Sequence, residues 1–486
     1  MPDRRRSAAS GTTATQAPSA DTTSSDTPAS ARALPRLLTG LGLALILTGC
    51  TAIPGLRRGS GPADLPLPPG ITVAFNQRSD HRYRSPISGR WRQGDDLEAF
   101  VIQAIREARQ EVLVAVQELS LPGIAEALVA QRQRGLRVRV VLENTYSQPW
   151  SALHPADLEP HQRHRVEQLR ALGLGDAVAI LQRGHVPILD DTADGSAGSG
   201  LMHHKFVVVD RRLVVTGSAN FSPSCIHGDP DDPLSRGNVN HLLRFSSAPL
   251  AALFAAEFDR MWGDGPGGAT DSHFGLAKEE EGAHTVQLGA TRVTVLFAPH
   301  HPEDPRQGLR LLAQWLSEAR QRVDLALFVF SAQGLADTLQ HLQQRGVVLR
   351  LLSDPGFAYR SYSEVLDLLG LSMADRRCRL ETGQQAWNQP LTTIGIPRLA
   401  PGDKLHHKLA VIDDRTVITG SFNWSPSAAH QNDETLLRIE SPALAAHMRR
   451  EVDRLWRGAE LGITPRLQRR LARTQLFCGR GRPRPA

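Results

Sequence analysis

The strongest constraint on how this chain can fold is that it repeats itself. MHHKFVVVDRRLVVTGSANFS at residues 202–222 returns as LHHKLAVIDDRTVITGSFNWS at residues 405–425. The likeness extends well beyond these segments: ITVAF at 71–75 pairs with VTVLF at 293–297, EARQEVLVAVQELS at 107–120 with EARQRVDLALFVFS at 318–331, and EFDRMW at 257–262 with EVDRLW at 451–456. Two copies of one unit, spanning roughly 71–264 and 291–458, therefore flank a Gly-rich and acidic linker at 265–290. Whatever one copy folds into, the other must fold into as well.

Each copy alternates helix and strand. Phe100, Val101, Ala104, Ile105 and Ala108 recur at helical spacing, as do Leu311, Leu312, Trp315, Leu316 and Ala319. The short apolar runs that follow, VLVAV and LALFVF, have the pattern of strands covered on both faces. An α/β unit with a sheet flanked by helices is the expectation. The first copy carries about nine extra residues around CIHGDPDDP, expected as a surface loop because closure entropy rises slowly with length.

At 486 residues, with 41% hydrophobic and 22% charged, the chain can bury two sizeable cores. The net charge of +6 is modest for this length, but a pI near 9.5 fits anionic partners, phospholipid headgroups or nucleic acid, without choosing between them. Cysteines 50, 225, 378 and 478 have neither CxxC nor Cys/His spacing, so no structural metal is indicated. Cys378 and Cys478 could pair in an oxidising compartment or remain free; the sequence leaves both open. Residues 1–49 read as a Ser/Thr/Ala-rich disordered preface followed by a secretory signal, with Arg32 and Arg36 ahead of an apolar run from Leu37 to Leu47. That run is too short to span a bilayer. Leu47-Thr48-Gly49-Cys50 resembles the lipobox of bacterial lipoproteins, which implies a lipid-modified Cys50 and an envelope location, secreted or periplasmic otherwise. Residues 50–70 would then be a flexible tether and 459–486 a basic tail whose order is left open.

Inside the repeated segment, His203, Lys205, Asp210, Gly217, Ser218 and Asn220 match His406, Lys408, Asp413, Gly420, Ser421 and Asn423 in identity and spacing. Read as a hairpin, the segment puts His203 and Lys205 on one face of a strand and Ser218 and Asn220 on one face of the return. Lysine offers a point charge to a phosphoryl group, Ser and Asn offer donors, and histidine can act as nucleophile or acid/base near neutrality. Gly217 leaves room for close backbone approach. Asp210 and Asp413, at the turn, are expected to be structural, and His204 and His407, on the opposite face, to pack or to lie at the surface.

HxK, four residues, Asp, six residues, then GSxN, present twice, resembles the HKD motif of the phospholipase D superfamily, and the likeness covers nearly the whole chain after the tether. The resemblance implies two pseudo-twofold-related repeats, each a mixed sheet flanked by helices, with one active site at their interface. It also implies no metal and no cofactor. One His would attack the phosphodiester phosphorus and the other protonate the leaving alcohol, while Lys205, Lys408, Ser218, Ser421, Asn220 and Asn423 hold the phosphate. With both motifs in one chain, a monomer suffices.

The copies differ at one telling place. Glu434 matches the acidic residue that orients a catalytic His in the family, and the aligned residue in the first copy is Asn240. Reaching across, as these residues do in two-repeat relatives, they would pair Glu434 with His203 and Asn240 with His406. A carboxylate favours the positive phosphorylated imidazole and an amide leaves its partner the stronger acid, so His203 is expected to attack and His406 to donate the proton. Tyr146, Trp150, Phe357, Tyr359 and Tyr362 lie in equivalent loops and could meet lipid, stack on bases or anchor the loops. Hydrolysis of phospholipid at a membrane surface is the first expectation. An envelope nuclease, a cardiolipin synthase-like transferase and an inactive phosphate-binding protein are the alternatives.

Overall fold

The continuous apolar runs become central strands, and each repeat builds its sheet around them. The computed structural model describes residues 65–195, 200–479 and 481. The expected signal, the lipidation site Cys50 and most of the tether lie outside the described residues.

In the first sheet the spatial order is Ile71–Phe75, His241–Ser246, Leu213–Gly217, Lys205–Val209, Glu111–Val116, Arg137–Leu142, Ile188–Asp190. In the second it is Thr291–Ala298, Glu434–Glu440, Thr416–Gly420, Lys408–Ile412, Arg322–Leu327, Val348–Ser353, Ile394–Ile396, with His284–Leu288 and Glu460–Leu461 added at the two edges. Seven strands thus recur in the same order. Both sheets are mixed: Glu111–Val116 runs parallel to Arg137–Leu142 and antiparallel to Lys205–Val209, and Arg322–Leu327 repeats this with its own neighbours. The expected helices form at Leu97–Arg106 and Gly308–Ser317, burying Val101, Ala104 and Ile105 in one and Leu312, Trp315 and Leu316 in the other.

The repeats share a core. One apolar cluster joins Phe206, Phe254 and Phe258 of the first copy to Val293, Leu409, Leu437 and Met448 of the second. Two parallel backbone bridges stitch the seam, Met202 to Asp433 and Val239 to Leu405. Each bridge falls one residue before a motif histidine or before its aligned partner residue.

The hairpin turns follow from their dihedrals. Asp210 and Arg211 (φ 50° and 48°), like Asp413 and Asp414 (51° and 53°), occupy the left-handed region that a two-residue turn matching the strand twist requires. Asp210 also accepts from the backbone N–H of Arg109, Gln110 and Glu111, and Asp413 from those of Arg320, Gln321 and Arg322. These carboxylates hold the hairpin to the start of the central strand. The glycines are needed for strand packing: a Cβ on Gly217 would stand 2.3 Å from the His241 carbonyl oxygen, and one on Gly420 2.1 Å from that of Thr435.

Several connecting segments are more ordered than their composition suggests. The end of the tether docks, its Leu65 carbonyl 3.1 Å from His447 Nε2. The linker contributes the edge strand His284–Leu288 and a buried Lys278. The extra loop of the first copy is a strap rather than a free surface loop: His227 bonds Glu98 (2.7 Å) and Tyr83 (2.9 Å), and Ser235 donates to Asp403 of the second repeat (2.6 Å). The basic tail forms the helix Pro465–Cys478, and Cys378 and Cys478 are joined in a disulfide.

Candidate active site

The bridges at the seam bring the two motifs together. His203 N–H donates to the Asp433 carbonyl (2.9 Å), and His406 N–H to that of Val239 (3.1 Å). Each histidine is therefore held by the strand of the other repeat that carries its partner. His203 Nδ1 lies 2.7 and 2.8 Å from the two carboxylate oxygens of Glu434, and His406 Nδ1 lies 3.0 Å from Asn240 Oδ1.

The tautomers follow from these partners. Asn240 Nδ2 donates to the carbonyls of Cys225 (2.9 Å) and Asn238 (3.0 Å), which fixes Oδ1 as the end facing His406. His406 must then donate from Nδ1, as His203 does to the carboxylate, leaving each Nε2 as the working nitrogen.

Both imidazoles are nearly closed off, at 7% and 6% exposure. Burial, then the charges of Lys205 and Lys408, hold His203 well below the ordinary histidine range. His406 is lowered by burial, then by Lys408, Lys205 and His203. Charges from both motifs therefore bear on each ring, so the two motifs form one site. Burial lowers Lys205 to about 8, opposed by the Glu434 charge. Burial and the neighbouring Lys205 ammonium lower Lys408 to about 7. Glu434 is raised to about 7 by burial, against the pull of Lys205 and its hydrogen bond from Ser421.

Such a cluster is positive and short of anions. Lys205 Nζ donates to the His203 carbonyl (2.7 Å) and Lys408 Nζ to that of His406 (2.9 Å), leaving two N–H groups on each for a ligand. Asn220 Nδ2 donates to Gln117 (3.0 Å), while the Oδ1 atoms of Asn220 and Asn423 are buried without a partner. A phosphodiester would accept from both lysines, which outnumber the single Glu434 carboxylate beside them.

Two serine assignments change. Ser218 Oγ donates to Asn240 Oδ1 (2.8 Å) and accepts from His241 N–H (3.2 Å). Ser421 hydrogen-bonds Glu434 and accepts from Thr435 N–H (2.8 Å). Each hydroxyl spends its one proton on a histidine's partner, Ser218 on Asn240 and Ser421 on Glu434. His204 and His407 are fully buried and bond across the seam, His204 to Thr435 (2.9 Å) and His407 to His241 (3.0 Å).

The expected loop aromatics divide. Trp150 packs on Val166 and Leu169, and Tyr359 is buried, so both anchor their loops. Tyr146 lies under the Arg165 guanidinium (4.7 Å) and Tyr362 is exposed. Phe357 meets Phe328 (4.6 Å between ring centroids), which in turn meets His406 (4.7 Å) and the Lys408 ammonium (4.8 Å).

Sequence reasoning missed this Phe328 wall and its counterpart Gln117, and also a buried ionic layer behind the motif. Glu257 bonds His204 (3.1 Å) and Lys278, and Glu451 bonds His407 (3.3 Å) and Arg454 (2.6 Å). The signal was present, since Glu257 and Glu451 occupy the same place in the repeated EFDRMW and EVDRLW. His204, Glu257 and Asp433 lie close enough to hold a cation, within 4.8 Å of one another, and the Lys278 ammonium binds both carboxylates there, 2.7 Å from Asp433.

The family described as "Cardiolipin synthase, PLD-like domain" matches residues 101–262 and 312–456. A human protein named "Mitochondrial cardiolipin hydrolase" is 31% identical over 150 residues, 30% of this chain and 50% of that protein. A "Phospholipase D" of Rickettsia bellii is 26% identical over 159 residues, 33% of this chain and 66% of that protein. The chain thus spans about half to two thirds of the length of these relatives. The solved phosphatidylserine synthase of Haemophilus influenzae Rd KW20 is similar over 80% of this chain and 89% of its own, with a TM-score of 0.49 and 14% identity. The matched segments cover both copies of the repeat, and the chain belongs to the phospholipase D-like family, whose enzymes act on phosphodiester bonds.

Proposed function

We propose that this protein hydrolyses the distal phosphodiester of phospholipids, giving phosphatidic acid and free headgroup, at an envelope membrane to which Cys50 anchors it. The crosswise pairing of His203 with Glu434 and His406 with Asn240 carries the reading, because it gives two chemically unlike imidazoles to one phosphorus. His203 Nε2 attacks phosphorus while the bond to the headgroup oxygen breaks, and that oxygen takes the proton of His406 Nε2. The phosphohistidine carries positive charge that Glu434 stabilises. His406 then removes a proton from water, whose oxygen attacks phosphorus and releases His203.

The resting electrostatics bear on this sequence. An unprotonated His203 is what attack requires, and its lowered pKa supplies it. His406 must instead be protonated, which the two lysine charges oppose. A bound phosphodiester anion offsets those charges and raises His406, so substrate itself charges the acid. The names of the curated relatives, cardiolipin hydrolase and phospholipase D, support a lipid substrate and water as acceptor.

The test is release of choline, ethanolamine or glycerol from vesicles by the purified chain, in EDTA to silence contaminating metal-dependent lipases, beside cleavage of single-stranded DNA and transfer to added glycerol. Headgroup release with little of either competitor reaction is expected. DNA cleavage without headgroup release, or transfer exceeding hydrolysis, overturns the reading.

A further inference from the structure

The C-terminal helix Pro465–Cys478 presents two unlike faces. Leu467 is buried, with Leu471, Thr474 and Cys478 half-buried below it at helical spacing, and Cys478 is bonded to Cys378 of the body. The other face carries Arg466, Arg469, Arg470, Arg473, Leu476 and Phe477, all exposed, within roughly a third of the helical turn. Leu476 and Phe477 are 91% and 79% exposed.

This face continues onto the body. Partial desolvation by its neighbours and then the like charges of Arg360, Arg466 and Arg376 lower the exposed Arg470, so guanidinium groups crowd here. No Asp or Glu occurs in the sequence from 461 to 486. Arg360 lies over Phe357 (5.7 Å), Phe357 meets Phe328, and Phe328 meets His406. Three ring contacts thus run to the catalytic cleft from Arg360, whose charge bears on Arg470 of the helix.

Arginines alone would suit any polyanion. An exposed leucine and phenylalanine on the same face gain nothing from a sugar-phosphate backbone, whereas the acyl boundary of a bilayer takes both. A basic face with an apolar tip is the composition of a helix lying in a membrane interface. We propose that this face docks the enzyme on anionic lipid, with the arginines at headgroup phosphates and Leu476 and Phe477 in the acyl boundary, so that the cleft beside Phe357 opens onto the bilayer. The proposal rests on the phospholipid reading above and adds a surface to it.

The test uses the full chain with Cys50→Ser in every sample, which removes acylation as a cause of binding. Co-sedimentation with vesicles of phosphatidylglycerol and phosphatidylcholine is compared with pure phosphatidylcholine. The unaltered face should bind the anionic vesicles at least ~10-fold more tightly, and the preference should vanish near about 1 M salt. Arg466→Ala, Arg469→Ala, Arg470→Ala and Arg473→Ala together should abolish the preference. Leu476→Ser with Phe477→Ser should keep it while weakening binding roughly 10-fold. Turnover of soluble bis(p-nitrophenyl) phosphate, unchanged in both variants, reports an intact fold and site. Variants that sediment like the parent overturn the proposal, as does loss of single-stranded DNA binding in the arginine variant with vesicle binding intact. Headgroup release from detergent-dispersed lipid without anionic preference sinks docking alone. Docking without release sinks the hydrolase reading alone.

Discussion

The two halves of the active site are copies in backbone and opposites in chemistry. On one side His203 faces a carboxylate that Ser421 orients; on the other His406 faces a carboxamide that Ser218 orients. The walls differ in the same sense: beside Asn220 stands the polar Gln117, and beside Lys408 the ring of Phe328. Duplication supplied a symmetric frame for the two motif histidines. Under the proposed roles, substitution at two aligned positions gives the nucleophile and the acid unlike surroundings, which is how sites assign such roles to paired groups.

The largest effects should come from the rings. His203→Ala should abolish turnover of any phosphodiester, and His406→Ala should do so for substrates with an alcohol leaving group. With p-nitrophenol as leaving group, which departs without a proton, His406→Ala should show a burst of one equivalent and a phosphorylated peptide containing His203. Rapid-quench kinetics and peptide mapping would read this. A phosphorylated peptide containing His406 instead would reverse the roles.

Next, Glu434→Gln should lower kcat on the order of 10³-fold, within the range for acid/base machinery, because a neutral partner no longer favours the phosphohistidine cation. Asn240→Asp makes the halves alike and should lower kcat roughly 10-fold, through a weaker acid at His406. Equal losses from the two changes would end the comparison. The pH profile carries the same asymmetry. With Glu434 raised to about 7, kcat/KM should fall as pH drops below that value, where the partner of His203 takes a proton, and fall again as pH rises through apparent values near 7 to 8, where Lys408 and Lys205 lose theirs. The alkaline fall in kcat should lie higher, since bound phosphate retains those protons.

Much of this was legible in the residues, for reasons that can be named. Identical spacing in two copies of HxK, Asp and GSxN locates both hairpins, and a strand's alternation puts His and Lys together. The difference between Glu434 and Asn240 shows only because the copies can be aligned. What failed to show depends on contacts between distant segments. Ser218 and Ser421 carry the right atoms for phosphate, but in the fold the adjoining strand takes their hydroxyls. Lys278, in a Gly-rich and acidic stretch, reads as linker and becomes the counter-ion of Glu257 and Asp433. The Cys378–Cys478 disulfide spans 100 residues, and no local pattern announces it.

The smallest expected effects fall where the halves do not differ. Asp210 and Asp413 hold equivalent turns, each accepting from three consecutive backbone N–H groups at the start of a central strand. Neither touches the cleft, and each sits at positive φ, which alanine tolerates less well than aspartate. Asp210→Ala and Asp413→Ala should therefore each destabilise the protein by about 1–3 kcal/mol, since partly buried donors lose their acceptor and solvent recovers some of them. Turnover per folded molecule at low temperature should be unchanged. Denaturant unfolding beside kcat measures both quantities. A loss of kcat in Asp413→Ala alone would mean that the division of labour between the repeats reaches into their frame.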